Sequence, residues 1–144
     1  STAVVLLIKG RKAIWANVGD SRLYRFSHGE ICEVSEDNSV AFLDFVRGDI
    51  EYNDIRTSPN QNMLTSALGV MMDNVNYSDE CKIDSSTAFL LCTDGWWEYV
   101  TEDDMESVFM SGKKSRDCLE EMLKIRESKA PENSDNFTAA IVSF

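Results

Sequence analysis

Carboxylate side chains at three turns are the residues of this 144-residue chain whose types and positions could do chemistry. Asp20 and Asp94 each follow an apolar, strand-like segment, and Asp135 precedes one. If those segments are neighbouring strands, the three side chains converge at one end of a sheet. Clustered carboxylates repel one another unless a cation or shared protons compensate their charge. Because oxygen ligands select hard cations over zinc, the three turns together predict a site for Mg²⁺ or Mn²⁺.

A fourth carboxylate, Glu98, lies four residues after Asp94. An apolar run stopped by Asp-Gly suits a buried strand that leads into a helix, and this spacing places both carboxylates on the same side of a helical turn. An alternative reading fits this stretch equally well: Asp is a favoured N-cap residue, so Asp94 could simply begin the helix. Trp96 and Trp97 are interpreted as packing residues rather than a peptide-binding platform.

The elements that must position these carboxylates begin with strands. Residues 1–8 are β-branched and aliphatic without alternation, which indicates a buried strand, and residues 13–18 pair back across the turn at 9–12. A second hairpin joins residues 22–26 to residues 31–34. The two hairpins predict an antiparallel sheet. Because the chain starts directly inside a predicted core strand, we expect a further segment to precede it.

The middle of the chain changes to helical spacing. Ser39 can cap a helix that Gly48 is placed to end. Residues 51–56 predict a short helical piece, and residues 60–69 fit either a helical turn or an extended loop. Residues 75–83 are expected to form a strand.

The last third of the chain predicts helices and a closing strand. Thr101-x-x-Asp104 resembles a capping box. Residues 115–128 carry an apolar helical stripe, and Lys124, Arg126 and Lys129 lie near the C-terminal end of that helix, where the dipole favours cations. Residues 137–144 predict a core strand. The sum is one α+β domain with helices packed outside strands.

Composition excludes several classes of partner. The chain has 14 basic and 25 acidic side chains and a formal charge of -11, so no basic stripe is present to bind nucleic acid or an anionic membrane. No apolar run reaches membrane-spanning length. The four cysteines are widely spaced without a C-x-x-C pair, which argues against zinc-ribbon or thioredoxin chemistry and favours a reducing, cytoplasmic location.

Four motifs occur in order along the chain: Ala16-Asn17-Val18-Gly19-Asp20-Ser21-Arg22, Leu64-Thr65-Ser66-Ala67-Leu68-Gly69, Leu91-Cys92-Thr93-Asp94-Gly95-Trp96-Trp97-Glu98 and Asp135-Asn136-Phe137-Thr138. With these motifs the chain resembles the metal-dependent protein phosphatases of the PP2C (PPM) family over its whole length, and the compact bacterial members most closely. The resemblance implies that residues 1–144 are the C-terminal part of a single PP2C-like domain. Its fold would be an antiparallel β-sandwich in α-β-β-α layers, with the N-terminal strands missing.

The resemblance also implies a role for each carboxylate. Asp94 and Asp135 correspond to ligands of the catalytic Mn²⁺ or Mg²⁺ centre, which holds two ions. Asp20 and Glu98 correspond to ligands of a third, more weakly held ion, and Glu98 takes a place often occupied by Asp. In this family a metal-activated water attacks the phosphorus of phosphoserine or phosphothreonine. The implied partner is a phosphorylated protein, the product of a serine/threonine kinase.

One feature of the family is absent from the sequence. An upstream Asp-Gly-x-Gly-Gly segment supplies the Asp that bridges both metals, and an earlier arginine binds the substrate phosphate, but this chain contains no Gly-Gly pair. His28 lies in a hairpin turn, away from the family's proposed acid, and is interpreted as a surface residue. We therefore expect the chain alone to be inactive, and a non-catalytic, phosphatase-like interaction module is the alternative. Without the missing strands, residues 1–8 would form an exposed apolar edge that favours self-association.

Overall fold

A computed structural model describes residues 1–70 and 74–144 of the chain. Within these residues the strands are β1 (Ala3–Lys9), β2 (Lys12–Val18), β3 (Arg22–Ser27), β4 (Glu30–Val34), β5 (Asn76–Tyr77), β6 (Cys81–Lys82), β7 (Thr87–Cys92) and β8 (Ala139–Ser143). The α-helices are α1 (Val40–Arg47), α2 (Asp94–Trp97), α3 (Glu102–Met110) and α4 (Ser115–Lys129), and a 3-10 helix spans Tyr52–Thr57.

The strands form two antiparallel sheets. One sheet has the order β4-β3-β7-β8, and in the other β2 pairs with β1 on one side and with β5 and β6 on the other. The two predicted hairpins are both confirmed, but each belongs to a different sheet. Strand β7 is the apolar strand that the sequence indicates: it lies between β3 and β8, and all of its residues except Leu91 are buried.

Alternating side chains of β7 separate two hydrophobic cores. Phe89 packs with Trp15 and Leu23 in a core between the sheets. Leu90 faces the opposite way, into a larger core beneath helices α2, α3 and α4 that includes Trp96 and Met122. The packing role predicted for Trp96 and Trp97 is confirmed, since they are 2% and 1% exposed. The α+β sandwich with helices outside a sheet is therefore confirmed.

Two strand predictions are wrong, and a third, the core strand at residues 137–144, is met only in part: within the described residues β8 is an edge strand without a fully buried residue, and Phe137 and Phe144 are 39% and 48% exposed. Strand β1 is not buried: Val5 and Leu7 are each 60% exposed, and among the described strands β1 has β2 as its one neighbour. The uniform apolar pattern suits a strand covered on both faces, whereas the described residues cover only one. Residues 75–83 form two short strands rather than one, because Ser78 interrupts the ladder: its side-chain oxygen accepts a hydrogen bond from the Trp15 N–H at 2.9 Å.

The helix-capping residues predicted from the sequence adopt the expected capping geometry. The Ser39 hydroxyl accepts a hydrogen bond from the Phe42 N–H, and Gly48 ends α1 in the left-handed conformation with φ 81°. Thr101 and Asp104 form the reciprocal capping box at the start of α3. Residues 60–69 form turns and loop rather than a helix. No helix within the described ranges is long and apolar enough to cross a membrane.

Candidate metal centre

The antiparallel pairing of β7 with β8 brings two of the predicted carboxylates together. Cys92 at the end of β7 lies opposite Ala139 at the start of β8. Just beyond this pair, the Thr93 N–H donates to the Thr138 carbonyl and the Thr138 N–H donates to the Thr93 hydroxyl, each at 3.0 Å. The turn that carries Asp94 therefore lies directly against the loop that carries Asp135.

Because Gly95 has no side chain, the backbones of these two segments can pack in direct contact. A Cβ atom at Gly95 would lie 2.5 Å from the Asn136 carbonyl oxygen and 3.0 Å from the Asp135 carbonyl oxygen. Both contacts are with backbone, which cannot rotate away, so a side chain here would push the loops apart. Close packing thus requires glycine at position 95, although its φ is not one that itself favours glycine.

The turn that carries Asp20 reaches the same region through a tryptophan. The indole N–H of Trp97 on α2 donates to the Asp20 carbonyl oxygen at 2.9 Å, and both residues are buried. The turn itself is fixed by Gly19, which has φ 98° and donates its N–H to the Asn38 side-chain oxygen at 3.0 Å. Asp20, Asp94 and Asp135 are therefore held by segments that contact one another, although β2, the strand that Asp20 follows, belongs to a different sheet from β7 and β8.

The carboxylates lie within range of one another's charge. Burial, and next the negative charges of Asp94 and Asp37, raise the pKa of Asp20 to about 6. The pKa of Glu98 is also raised, first by burial and then by Asp94, with a smaller contribution from Asp135. A bound cation would relieve this repulsion, because it favours the ionised form of every carboxylate beside it.

The residues fit a hard divalent cation in their donor chemistry and in their mutual repulsion. All four predicted ligands offer carboxylate oxygens, which suit Mg²⁺ or Mn²⁺. Yet nowhere in ranges 1–70 and 74–144 is a group of three or more His, Cys, Asp or Glu side chains arranged so that it could hold a metal ion. The four carboxylates thus approach one another without forming a complete ligand shell, and their assignment as ligands stays a prediction.

Two contacts beside the carboxylates were not predicted from the sequence. The Gln61 side-chain N–H donates to a carboxylate oxygen of Glu98 at 2.8 Å, so the loop after the 3-10 helix touches the predicted third-metal ligand. The buried Arg22 guanidinium forms a two-pronged ion pair with Asp37, with N–O distances of 2.9 and 2.7 Å, and stacks 3.6 Å from the centre of the Trp97 ring. The sequence feature that could have indicated a role for Arg22 is its position at the end of the Gly-Asp-Ser-Arg motif.

The interpretation of His28 as a surface residue is confirmed. It is exposed in the turn between β3 and β4, where it adopts a positive φ of 55°. Its ring nitrogen Nδ1 lies 3.2 Å from the Ser27 hydroxyl.

Comparison with known proteins shows that the chain is similar to serine/threonine phosphatases, while no family profile matches it. The serine/threonine phosphatase Stp of Listeria monocytogenes is 30% identical over 144 residues, which is 99% of this chain and 56% of that protein. The protein phosphatase PhpP of Streptococcus pneumoniae is 23% identical over 143 residues, covering 99% of this chain and 57% of that protein. The chain therefore spans little more than half the length of the curated relatives it matches.

Solved structures show the same fold. The serine/threonine phosphatase Stp1 from Staphylococcus aureus gives a TM-score of 0.84 at 22% identity, with 99% of this chain and 55% of that chain covered. The catalytic domain of the serine/threonine protein phosphatase PstP, solved in complex with two manganese ions, gives a TM-score of 0.72 at 17% identity, with 96% and 57% covered. Both structures match the sandwich described above over nearly all of its length.

Proposed function

Because this chain is a homologue of the PP2C (PPM) serine/threonine phosphatases, as its four motifs indicate, we propose that it is the C-terminal part of one phosphatase domain. The parent domain hydrolyses phosphoserine and phosphothreonine in proteins that a serine/threonine kinase has modified. The observation that carries the proposal is the placement of four carboxylates on contacting segments at one end of the sandwich, where burial and mutual repulsion raise the pKa of Asp20 to about 6 and that of Glu98 above its usual range.

Each carboxylate has a proposed role in holding metal. Asp94 and Asp135 bind the Mn²⁺ or Mg²⁺ ions of the catalytic centre, and Asp20 and Glu98 contribute to a third, weaker site. When bound, the ions supply a water nucleophile at neutral pH and offset charge on the phosphoryl oxygens. The residues around the carboxylates position them. Gly95 permits backbone contact between the two loops that carry Asp94 and Asp135, here called the ligand loops, and the Trp97 side chain binds the Asp20 turn to α2.

The 144 residues alone are expected to turn over little or no substrate. Their carboxylates do not form a complete ligand shell in the described residues, and the sequence lacks the Asp-Gly-x-Gly-Gly segment of the family. Mg²⁺ held by few protein ligands stays largely hydrated and is weakly retained. The missing ligands would come from the rest of the parent domain.

The test is hydrolysis of a phosphothreonine peptide by the full-length protein with Mn²⁺. Asp94→Asn and Asp135→Asn should each abolish most of the activity, and removal of metal with EDTA should do the same. Asp79→Asn is the matched control, because Asp79 is an exposed loop carboxylate. Metal-dependent activity that survives Asp94→Asn would overturn the proposal.

A second candidate is a non-catalytic, phosphatase-like interaction module. One observation favours it: the Gln61 side chain donates a hydrogen bond to Glu98 and so competes with a third-site metal for one of the two carboxylate oxygens. The same assay, together with a binding titration of the same phosphopeptide, separates the two candidates. A full-length protein that binds a phosphopeptide without hydrolysing it, at saturating Mn²⁺, would support the module and contradict the enzyme.

A further inference from the structure

Arg126 on helix α4 is buried beneath the two loops that carry Asp94 and Asp135. It is 4% exposed, although its place near the helix end suggests a surface cation. Its Nε atom donates to the Gly95 carbonyl oxygen at 2.7 Å. Its Nη2 atom donates to the Asp135 carbonyl oxygen and to the Ser134 hydroxyl, each at 3.1 Å. A single side chain therefore bonds the backbone of both ligand loops.

The buried Arg126 guanidinium is compensated by these carbonyl groups and by two aromatic rings. Among the described residues, no carboxylate lies within 4.0 Å of its nitrogen atoms, in contrast to Arg22 with its partner Asp37. Its guanidinium carbon instead lies 3.7 Å from the centre of the Phe137 ring and 5.5 Å from that of Tyr99. A buried cation is costly unless hydrogen bonds and aromatic faces compensate it, and here both are present.

The geometry of the guanidinium makes it suited to fixing a distance. Its donors form a rigid planar fork, whereas a lysine offers one compact ammonium at the end of a flexible stem. Gly95 follows Asp94 directly, so the fork spans the backbone beside one predicted ligand and the carbonyl of the other. The close approach at Gly95 independently shows that the separation of these loops is tightly set.

We propose that Arg126 is a positioning residue for the metal centre, which holds the Gly95 and Asp135 backbones together so that the Asp94 and Asp135 carboxylates face the same site. This inference rests on the proposed function, because it takes Asp94 and Asp135 as ligands. Groups that orient metal ligands typically change metal affinity by about 10–100-fold when they are removed. Arg126 acts through the loops and does not itself contact substrate or metal.

The experiment measures Mn²⁺ binding to the full-length protein by the loss of the free-ion EPR signal. Arg126→Gln and Arg126→Lys should each raise the Mn²⁺ dissociation constant about tenfold or more, with Lys the milder change because it can reach one loop at a time. Arg116→Gln and Arg116→Lys are the matched controls, since Arg116 is exposed on the same helix and pairs with Glu120. They should bind Mn²⁺ as the unaltered protein does.

Phosphopeptide kinetics provide a second readout. If Arg126 positions the ligands, its variants need more Mn²⁺ for half-maximal activity, and saturating Mn²⁺ restores much of kcat. A residue that only stabilises the fold would lower the urea midpoint without changing the Mn²⁺ requirement of the folded protein. If Arg126→Gln does not fold, Arg126→Lys carries the test, because it keeps the charge and the aliphatic stem.

The two proposals fail in different ways. If Asp94→Asn abolishes Mn²⁺ binding while the folded Arg126 variants bind Mn²⁺ with unchanged affinity, the positioning role is overturned and the proposed function stands. If Asp94→Asn leaves Mn²⁺ binding unchanged, the proposed function is overturned, and the positioning role with it.

Discussion

Asp20 offers a direct test of the cost of burying a carboxylate beside other negative charges, through the substitution Asp20→Asn in the metal-free chain. Burial and the charges of Asp94 and Asp37 raise its pKa from 3.8 to about 6 in the folded protein. Each pKa unit corresponds to about 1.4 kcal/mol of difference between the two protonation states. Ionised Asp20 therefore lowers the free energy of unfolding by about 3 kcal/mol.

The sign of this effect fixes its pH dependence. Below pH 3.8 Asp20 is protonated in both the folded and the unfolded state, and it costs no stability. As the pH rises from 3.8 to about 6, the unfolded chain releases the proton more readily than the folded one, so stability falls. Above pH 6 the full cost is present. Asn keeps the shape of the side chain without the charge, so Asp20→Asn should raise the free energy of unfolding by about 3 kcal/mol at about pH 7.5 and by about 1 kcal/mol at about pH 4.5.

Urea unfolding in EDTA, followed by tryptophan fluorescence at both pH values, measures the two gains. Asp79→Asn serves as the control, because it removes an exposed carboxylate from a loop. An Asp20→Asn gain that is absent at the higher pH, or equal at the two pH values, would contradict the reasoning, since neither result can come from ionisation of a buried carboxylate. Adding Mn²⁺ should stabilise the unaltered chain more than the variant, because ligand binding to the folded state adds to its stability.

Three further predictions concern the site, the thiols and the exposed strand. Gly95→Ala should raise the Mn²⁺ dissociation constant, since its Cβ would meet backbone at 2.5 Å, whereas Gly48→Ala should cost about 1–2 kcal/mol of stability without changing Mn²⁺ affinity in the same EPR titration. A thiol reagent should label the exposed Cys32 rapidly and Cys92 only after unfolding, because burial raises the pKa of the Cys92 thiol. Mass spectrometry identifies the labelled cysteines, and a labelled Cys92 in the native protein would contradict this prediction. Light scattering should show concentration-dependent self-association of the 144-residue chain. Leu7→Lys should remove this self-association, since Leu7 lies on the exposed face of edge strand β1 and a lysine there opposes pairing. A chain that is monomeric at all concentrations would refute the prediction.

The relation of sequence to structure differs between local and distant features. The helix beginning after Ser39, its end at Gly48 and the capping box at Thr101 are all confirmed, because each depends on hydrogen bonds and backbone angles within a few residues. The turn positions of Asp20 and Asp94 follow from the same kind of local signal. Motif order then identified the sandwich, whose sheet pairing no local pattern specifies.

The burial of β1 was predicted wrongly for a physical reason. An apolar run shows that a strand can be covered on both faces, but what covers it is decided by other layers of the fold. Val5 and Leu7 are exposed because the described residues pack on one side of this strand only. Residues 75–83 failed similarly, since Ser78 bonds Trp15, a residue distant in sequence.

By itself, the sequence determined which carboxylates are present and that they lie in turns, because residue chemistry and local backbone preference suffice for these. The tertiary structure alone decided that Arg126 reaches both ligand loops. The charge pattern of α4 assigns this arginine to the helix dipole, and only the rotation of α4 against the sheet buries it. That rotation is set by the packing of residues such as Met122 in the core, and so by contacts between segments far apart in the chain.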